Sequence, residues 1–349
     1  MRLTRSATGT ARSASRLRGT VWAGSLVALG IIVVSAVAVG SVAIGPLDVL
    51  GALGRGLGGN LGGVNDTIVW KVRTPRVLLA GVTGAALALA GTAYQAVFRN
   101  PLADPYLLGA ASGAGFGAAV GIVYGGTVAW LGALGMPTLA FVAALLTVTT
   151  AVLMARTGGT LPVVSLILAG VVLGSSLSAA TSLVMLADRE RTAGVLAWLL
   201  GSFSFARWRD VGLLTGILVV AVPLAMSVRR AFDLLLLGET SARHLGLSVE
   251  RFKWGVVVLA TLVTAAAVSV AGVIGFVGLV VPHAVRLAVG PEHRDLVPLA
   301  TMWGAAFLIL ADLVARTVLA PAEIPVGVVT ALVGGPFFLF LLRRTRVRT

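Results

Sequence analysis

Ten stretches of this sequence are nearly empty of charge, and most are long enough to cross a bilayer. Val21–Ile44 is the first. The others run roughly over 77–98, 106–124, 128–154, 162–186, 211–228, 254–272, 274–289, 296–319 and 325–342, and only the eighth and ninth contain a charged side chain. About 20 apolar residues span the hydrocarbon as a helix, which satisfies every backbone N–H and C=O within one segment. The alternating ten-residue pattern of a membrane barrel is not seen. With 58% hydrophobic and 11% charged residues, the chain lacks the polar surface of a soluble domain, about a quarter of whose residues are charged. The sequence therefore predicts an all-α integral membrane protein of about ten transmembrane helices.

The charges that remain report topology. Residues 1–20 carry five arginines and no acid and read as a disordered basic tail. The run after it is too long for the apolar core of a cleaved signal peptide, so 21–349 reads as one membrane domain. An even number of spans puts both termini on one side, and Lys and Arg gather on that side by about two to one, which marks it as cytoplasmic. Arg55, Lys71, Arg73, Arg76, Arg189, Arg191, Arg207, Arg209 and Arg316 fall on the other side. The net charge of +14 belongs to this pattern and gives no reason to invoke nucleic acid. There is no cysteine, and the three histidines lack metal-ligand spacing, so neither a thiol nucleophile nor a bound metal is expected. The chain has two lysines, Lys71 and Lys253, neither after a glycine, which rules out a G-x-x-x-x-G-K-[ST] phosphate cradle. No catalytic constellation lies within a span, and mid-span charge is too sparse for an ion-coupled secondary transporter.

Arg99–Gly115, "RNPLADPYLLGAASGAG", is a short polar corner between two spans. Pro101 and Pro105 fix φ and push the residues before them toward extended geometry, and Asp104 is placed to cap the following helix. Gly109, Gly113, Gly117 and Gly121 then form a stripe without bulk, which predicts close helix packing. In the fifth span Ser175, Ser178 and Ser182 share one helical face. They could bond backbone carbonyls or line a path. In the loop 229–253, Gly238 and Gly246 bracket a short helix in which Glu239 precedes Arg243 by four residues, the favourable order for an ion pair.

The run "RTPRVLLAGVTGAALALAGTAYQAVFRNPLADPYLLGAASGAG" resembles the FecCD-type permease family, the BtuC-like membrane subunits of type II ABC importers for iron–siderophore complexes, haem and vitamin B12. So do "WLLGSF", "LGETSARHLGL", "GVIGFVGLVVPHAVRL", "LADLVAR" and "AEIPVGVVTALVGGPFF", in order over residues 70–340. The resemblance implies the type II ABC importer permease fold, in the cytoplasmic membrane of a bacterium. It implies a complex with a second, identical permease subunit, two ATP-binding cassette ATPases that hold ATP and Mg, and an extracytoplasmic substrate-binding protein. The chain itself would bind no cofactor. The segment 231–250 becomes the coupling helix, with Leu237, Ala242, Leu245 and Leu247 contacting the ATPase and Glu239 and Arg243 orienting them. Ser175, Ser178 and Ser182 become path residues. Arg73, Arg76 and Arg316 become the cations that receive the binding protein. "WLLGSFSFARW" looks closer to the iron-chelate members, so a ferric siderophore is the expected cargo.

Overall fold

The computed structural model describes residues 4–40 and 44–346. Its elements are helical throughout. Helix α1 (Thr4–Ala38) is followed by a short amphipathic α2 (Pro46–Leu57) and by α3 (Val64–Thr67). Chain 64–97 is one continuous rod, with wider π-helical turns at Ile68–Arg73 leading into α4 (Thr74–Val97). After the Arg99 corner come α5 (Ala110–Tyr124), α6 (Ala129–Leu134), α7 (Met136–Ala155), α8 (Val163–Ala187), α9 (Thr192–Leu199) and α10 (Trp208–Ser227). The second half holds α11 (Arg229–Leu236), α12 (Glu239–His244), α13 (Val249–Ala271), α14 (Val277–Val289), α15 (His293–Thr317) and α16 (Val326–Arg346). Seven helices have the length and hydropathy of membrane spans, and the shorter α5, α14 and the apolar part of α16 bring the total to the expected ten.

Three boundaries differ from the sequence reading. The tail within 1–20, expected to be disordered, is helical from Thr4 onward. It has no proline, and once the span has nucleated, each further turn adds hydrogen bonds at little extra cost. The first span ends at Ala38 rather than Ile44, and residues 41–43 lie outside the described set. The fourth span is divided at Gly135 (φ 75°) into α6 and α7, because that left-handed backbone cannot continue a helix.

Helix α4 is the axis of the molecule. In its apolar stretch 83% of the residues are buried inside the chain, against 17% for α8. Small residues make this possible. A Cβ at Gly84 would strike the Gly304 carbonyl of α15, and one at Gly91 would strike the Gly278 backbone of α14. The three helices therefore meet backbone to backbone, the contact that drives association where there is no water to expel. Gln95, 2% exposed, donates to the Gly278 and Leu279 carbonyls at 3.3 and 3.2 Å.

The glycine ladder of α5 seats on α7. A Cβ at Gly113 would lie 2.8 Å from the Ala143 carbonyl and one at Gly117 would lie 2.7 Å from the Ala143 Cβ, while Gly121 faces Met136 at 3.1 Å. Gly109, in the left-handed region at φ 83°, approaches the Gly170 carbonyl of α8 within 3.2 Å of a built Cβ. Gly117→Leu is accordingly expected to cost about 1–3 kcal/mol through overpacking and to lower the yield of monodisperse protein in detergent. Gly216→Leu, at a position where a Cβ meets only open space, serves as the control and should leave that yield unchanged.

Candidate functional site

The corner after α4 builds one wall of an open groove. Asn100 accepts the Leu102 N–H at 2.9 Å, and Asp104 accepts the Tyr106 N–H at 2.8 Å, capping the short 3-10 turn Pro105–Leu108. The Tyr106 hydroxyl donates to the Ile274 carbonyl at 3.1 Å, which fixes the turn against the segment between α13 and α14. The groove, about 650 Å³, lies between this wall and α8, where Gly174, Ser175 and Ser178 face Asp104, Gly109 and Ser112. Ser178 donates to the Ser112 hydroxyl at 3.4 Å. Ser182 is outward-facing one turn further on, outside this lining, and donates to the Ser178 carbonyl at 3.1 Å. The serine face thus divides: Ser175 and Ser178 line an open groove, and Ser182 bonds to backbone.

Burial pushes the Asp104 carboxyl up to about 6, against the lowering effect of the Tyr106 N–H. The folded chain therefore holds this proton more tightly than the unfolded chain does. Stability is expected to fall as pH rises from about 4 to about 6. The Asp104→Asn variant keeps an oxygen for the Tyr106 N–H and should flatten that slope. Thermal unfolding of both proteins across this pH range reads the difference.

At the end of the bundle between α10 and α13, α12 is held by glycines in conformations that favour glycine, Gly238 at φ 103° and Gly246 at φ 88°. The predicted Glu239–Arg243 pair forms at 3.4 Å. Sequence spacing did not reveal the rest of the anchor. Lys253, almost fully buried, reaches Glu239 at 2.6 Å, and Glu250 lies 3.4 Å from Arg243 and accepts the Leu161 N–H at 3.0 Å. Leu237 and Leu245 project outward, 63% and 61% exposed. Ala242 does not. It is fully buried within this chain, and Leu247 is half-buried against the same core. The outward contact face is therefore narrower than expected, because only one side of a six-residue helix stays free once its acid and cation are drawn toward α13.

The three arginines expected to receive a binding protein are turned inward, a correction to the sequence reading. Arg73, 5% exposed, donates to the Val37 and Ala38 carbonyls at 3.0 and 2.8 Å. Arg316 donates to the Ala36 carbonyl. These are the last carbonyls of α1, which lack intrahelical partners and form the negative pole of that helix. Arg76 grips Asp312 at 2.9–3.1 Å and Glu323 at 2.8–3.1 Å. Arg316 also lies 3.6 Å from Asp312, and Ser204 donates to Glu323 at 2.7 Å. The hydrogen bonds from Arg76 hold the Glu323 carboxyl below the usual carboxylate range. These planar forks are filled from within, tying α1, α4, α15 and the segment before α16 together. The exposed cations at this end include Lys71, Arg189, Arg207 and Arg209, with Arg55 half-exposed beside Asp66. Trp208 donates to the Trp70 carbonyl at 3.1 Å, and the two indoles lie 4.7 Å apart, which brings Lys71, Arg207 and Arg209 together beside Phe205, 89% exposed.

A bundle of apolar helices around a slim axial rod, with an open groove on one flank and a glycine-bracketed helix at one end, fits a multi-pass transport permease. The chain belongs to the FecCD transport family, whose sequence profile matches residues 27–344. It is 43% identical over 289 residues to the cobalamin import system permease protein BtuC of Halobacterium salinarum, covering 82% of this chain and 77% of that protein. It is 39% identical to the hemin transport system permease protein HmuU of Yersinia pestis, covering 81% and 86%. Its identity to the Fe(3+) dicitrate permease FecD of Escherichia coli is 37%, covering 80% and 86%. Among solved structures, a metal-chelate-type ABC transporter in an inward-facing conformation superposes with a TM-score of 0.80 at 30% identity, covering 93% of this chain and 99% of that one. The chain therefore has the ABC importer permease fold and serves an importer of the metal-chelate, haem or vitamin B12 type.

Proposed function

We propose that this chain forms, with a second copy of itself, the path of an ATP-driven importer for a ferric siderophore or related metal chelate. Both termini face the cytoplasm. Two ATPase chains dock at the α12 end, and a substrate-binding protein docks at the opposite end. The observation that carries this reading is the groove on α8. It offers serine hydroxyls and glycine backbone to a large polar cargo, while the outward face of α8 is apolar at Val164, Leu168, Leu183 and Leu186 and fits a protein partner. ATP binding on the ATPases pulls them together, α12 transmits the movement, and the groove opens to one side at a time. This chain makes no covalent intermediate, and ATP and Mg stay on the partner.

The test is uptake into liposomes that hold the permease with its ATPase and binding protein. ATP-dependent accumulation of a ferric siderophore, insensitive to protonophore, is expected. Accumulation of haem or cobalamin instead reassigns the cargo within the family, and uptake driven by an ion gradient without ATP overturns the reading. Docking of the binding protein is assigned to Lys71, Arg207 and Arg209 with Phe205. Reversing the three cations to Glu should weaken docking at least tenfold at low salt, with the wild-type affinity falling as salt screens the rim charges. Docking indifferent to both would leave the cations as interfacial anchors.

A further inference from the structure

Beside α4, at the end of the bundle that carries the coupling segment, α10 and α13 stand apart and leave a groove of about 240 Å³. Leu89 and Ala93 of α4 form its floor, Leu224 of α10 and Val228 just after it one wall, and Gly255 and Leu259 of α13 the other. Apart from Arg251 its lining is apolar, so it favours an aliphatic occupant. Arg251 closes the lining at the mouth. It stands between Glu250 and Lys253 in sequence, yet takes no part in their ion pairs with α12. Among the described residues it has no acid within ion-pair distance, and it is exposed. Val228, on the opposite wall, is followed directly by Arg229 and Arg230 at the start of α11. An aliphatic slot with one exposed guanidinium, Arg251, in its lining matches the two ends of one kind of molecule.

We propose that this groove is a binding site for an acidic phospholipid, with one acyl chain between α10 and α13 and the phosphate on Arg251. Arginine suits the role because its planar fork grips phosphate with two parallel hydrogen bonds. The proposed function places this end at the cytoplasmic leaflet, whose acidic lipids attract basic residues near the membrane surface. The leaflet rests on that reading, whereas the groove and its chemistry do not. A lipid here touches α10, α13 and, through Arg251, the helix that anchors α12.

The experiment is native mass spectrometry of the permease–ATPase complex in detergent, titrated with palmitoyl-oleoyl phosphatidylglycerol or with the matching phosphatidylcholine. Wild type is expected to retain phosphatidylglycerol about fivefold better, the scale of one cation near an acidic surface. Arg251→Gln should remove that preference while still accepting either lipid. Gly255→Leu should lose the bound lipid altogether, since a Cβ there meets nothing within 4 Å and the side chain fills the slot without strain. Undiminished lipid in Gly255→Leu, or an unchanged preference in Arg251→Gln, overturns the proposal. So does a change of oligomeric mass in Gly255→Leu, which would make the groove a protein interface. Lipid retention is read without transport, so failure of this site and failure of the importer reading are separate results.

Discussion

Asp312→Ala is expected to remove most of the folded protein from the membrane fraction. Asp312 is 1% exposed and accepts from Arg76 through two guanidinium nitrogens, with Arg316 at 3.6 Å. Its loss leaves Arg316 without a carboxylate and Arg76 with only the half-exposed Glu323. An uncompensated buried charge costs about 3–5 kcal/mol, a large share of the roughly 5–15 kcal/mol that holds a typical protein folded. Asp312→Asn retains an acceptor without the charge and should fall between. Replacing Arg76, Asp312 and Arg316 together with methionine, leucine and methionine should recover much of the loss, because apolar substitutes for buried ionic groups are often neutral. Size-exclusion profiles and thermal unfolding in detergent provide the comparison. An Asp312→Ala protein within about 1 kcal/mol of wild type would mean that the ionic knot is not what holds these helix ends.

The second large effect is on assembly. Leu237→Asp combined with Leu245→Asp should release the ATPase while leaving the permease folded. Both side chains are outward in the isolated chain, where surface changes shift stability by only about 0.5 kcal/mol. Within an interface each leucine becomes a charge that must be desolvated without a partner. At about 2 kcal/mol or more for each anchor, affinity should drop by a hundredfold or more. Ala242→Asp serves as the contrast. That position is fully buried in this chain, so it should damage the permease itself. Full retention of the ATPase by the double variant would exclude α12 as the contact.

The features legible in the sequence were those set by local periodicity. Apolar runs, the spacing of Gly109 to Gly121, the corner prolines and the glycines around α12 each act within a turn or two of themselves. The features that escaped depend on partners far along the chain. Arg76 finds Asp312 and Glu323 more than two hundred residues away, and nothing local distinguishes an arginine reaching inward from one reaching out. The clue available was that the last carbonyls of a long apolar helix lack intrahelical donors, so cations elsewhere in the chain are candidates to supply them. Ala242 was misplaced for a related reason. In a helix of six residues the periodicity is too brief to fix a face, and the side facing inward was decided by Lys253 pulling on Glu239. Arg73, Arg76 and Arg316 also carried an expectation from family resemblance, which transfers positions more readily than orientations.

The crowding of α4 has a consequence for how such a protein can change over generations. At Gly84 and Gly91 a single added methyl group meets the backbone of another helix, so this rod can accept almost no drift. Helix α8 is its opposite, with few side chains buried within the chain. On the proposed reading, substitutions that alter cargo preference fall on the serine wall while the axis stays fixed. Under that reading, a lineage can move from one cargo to another without rebuilding the crowded axis.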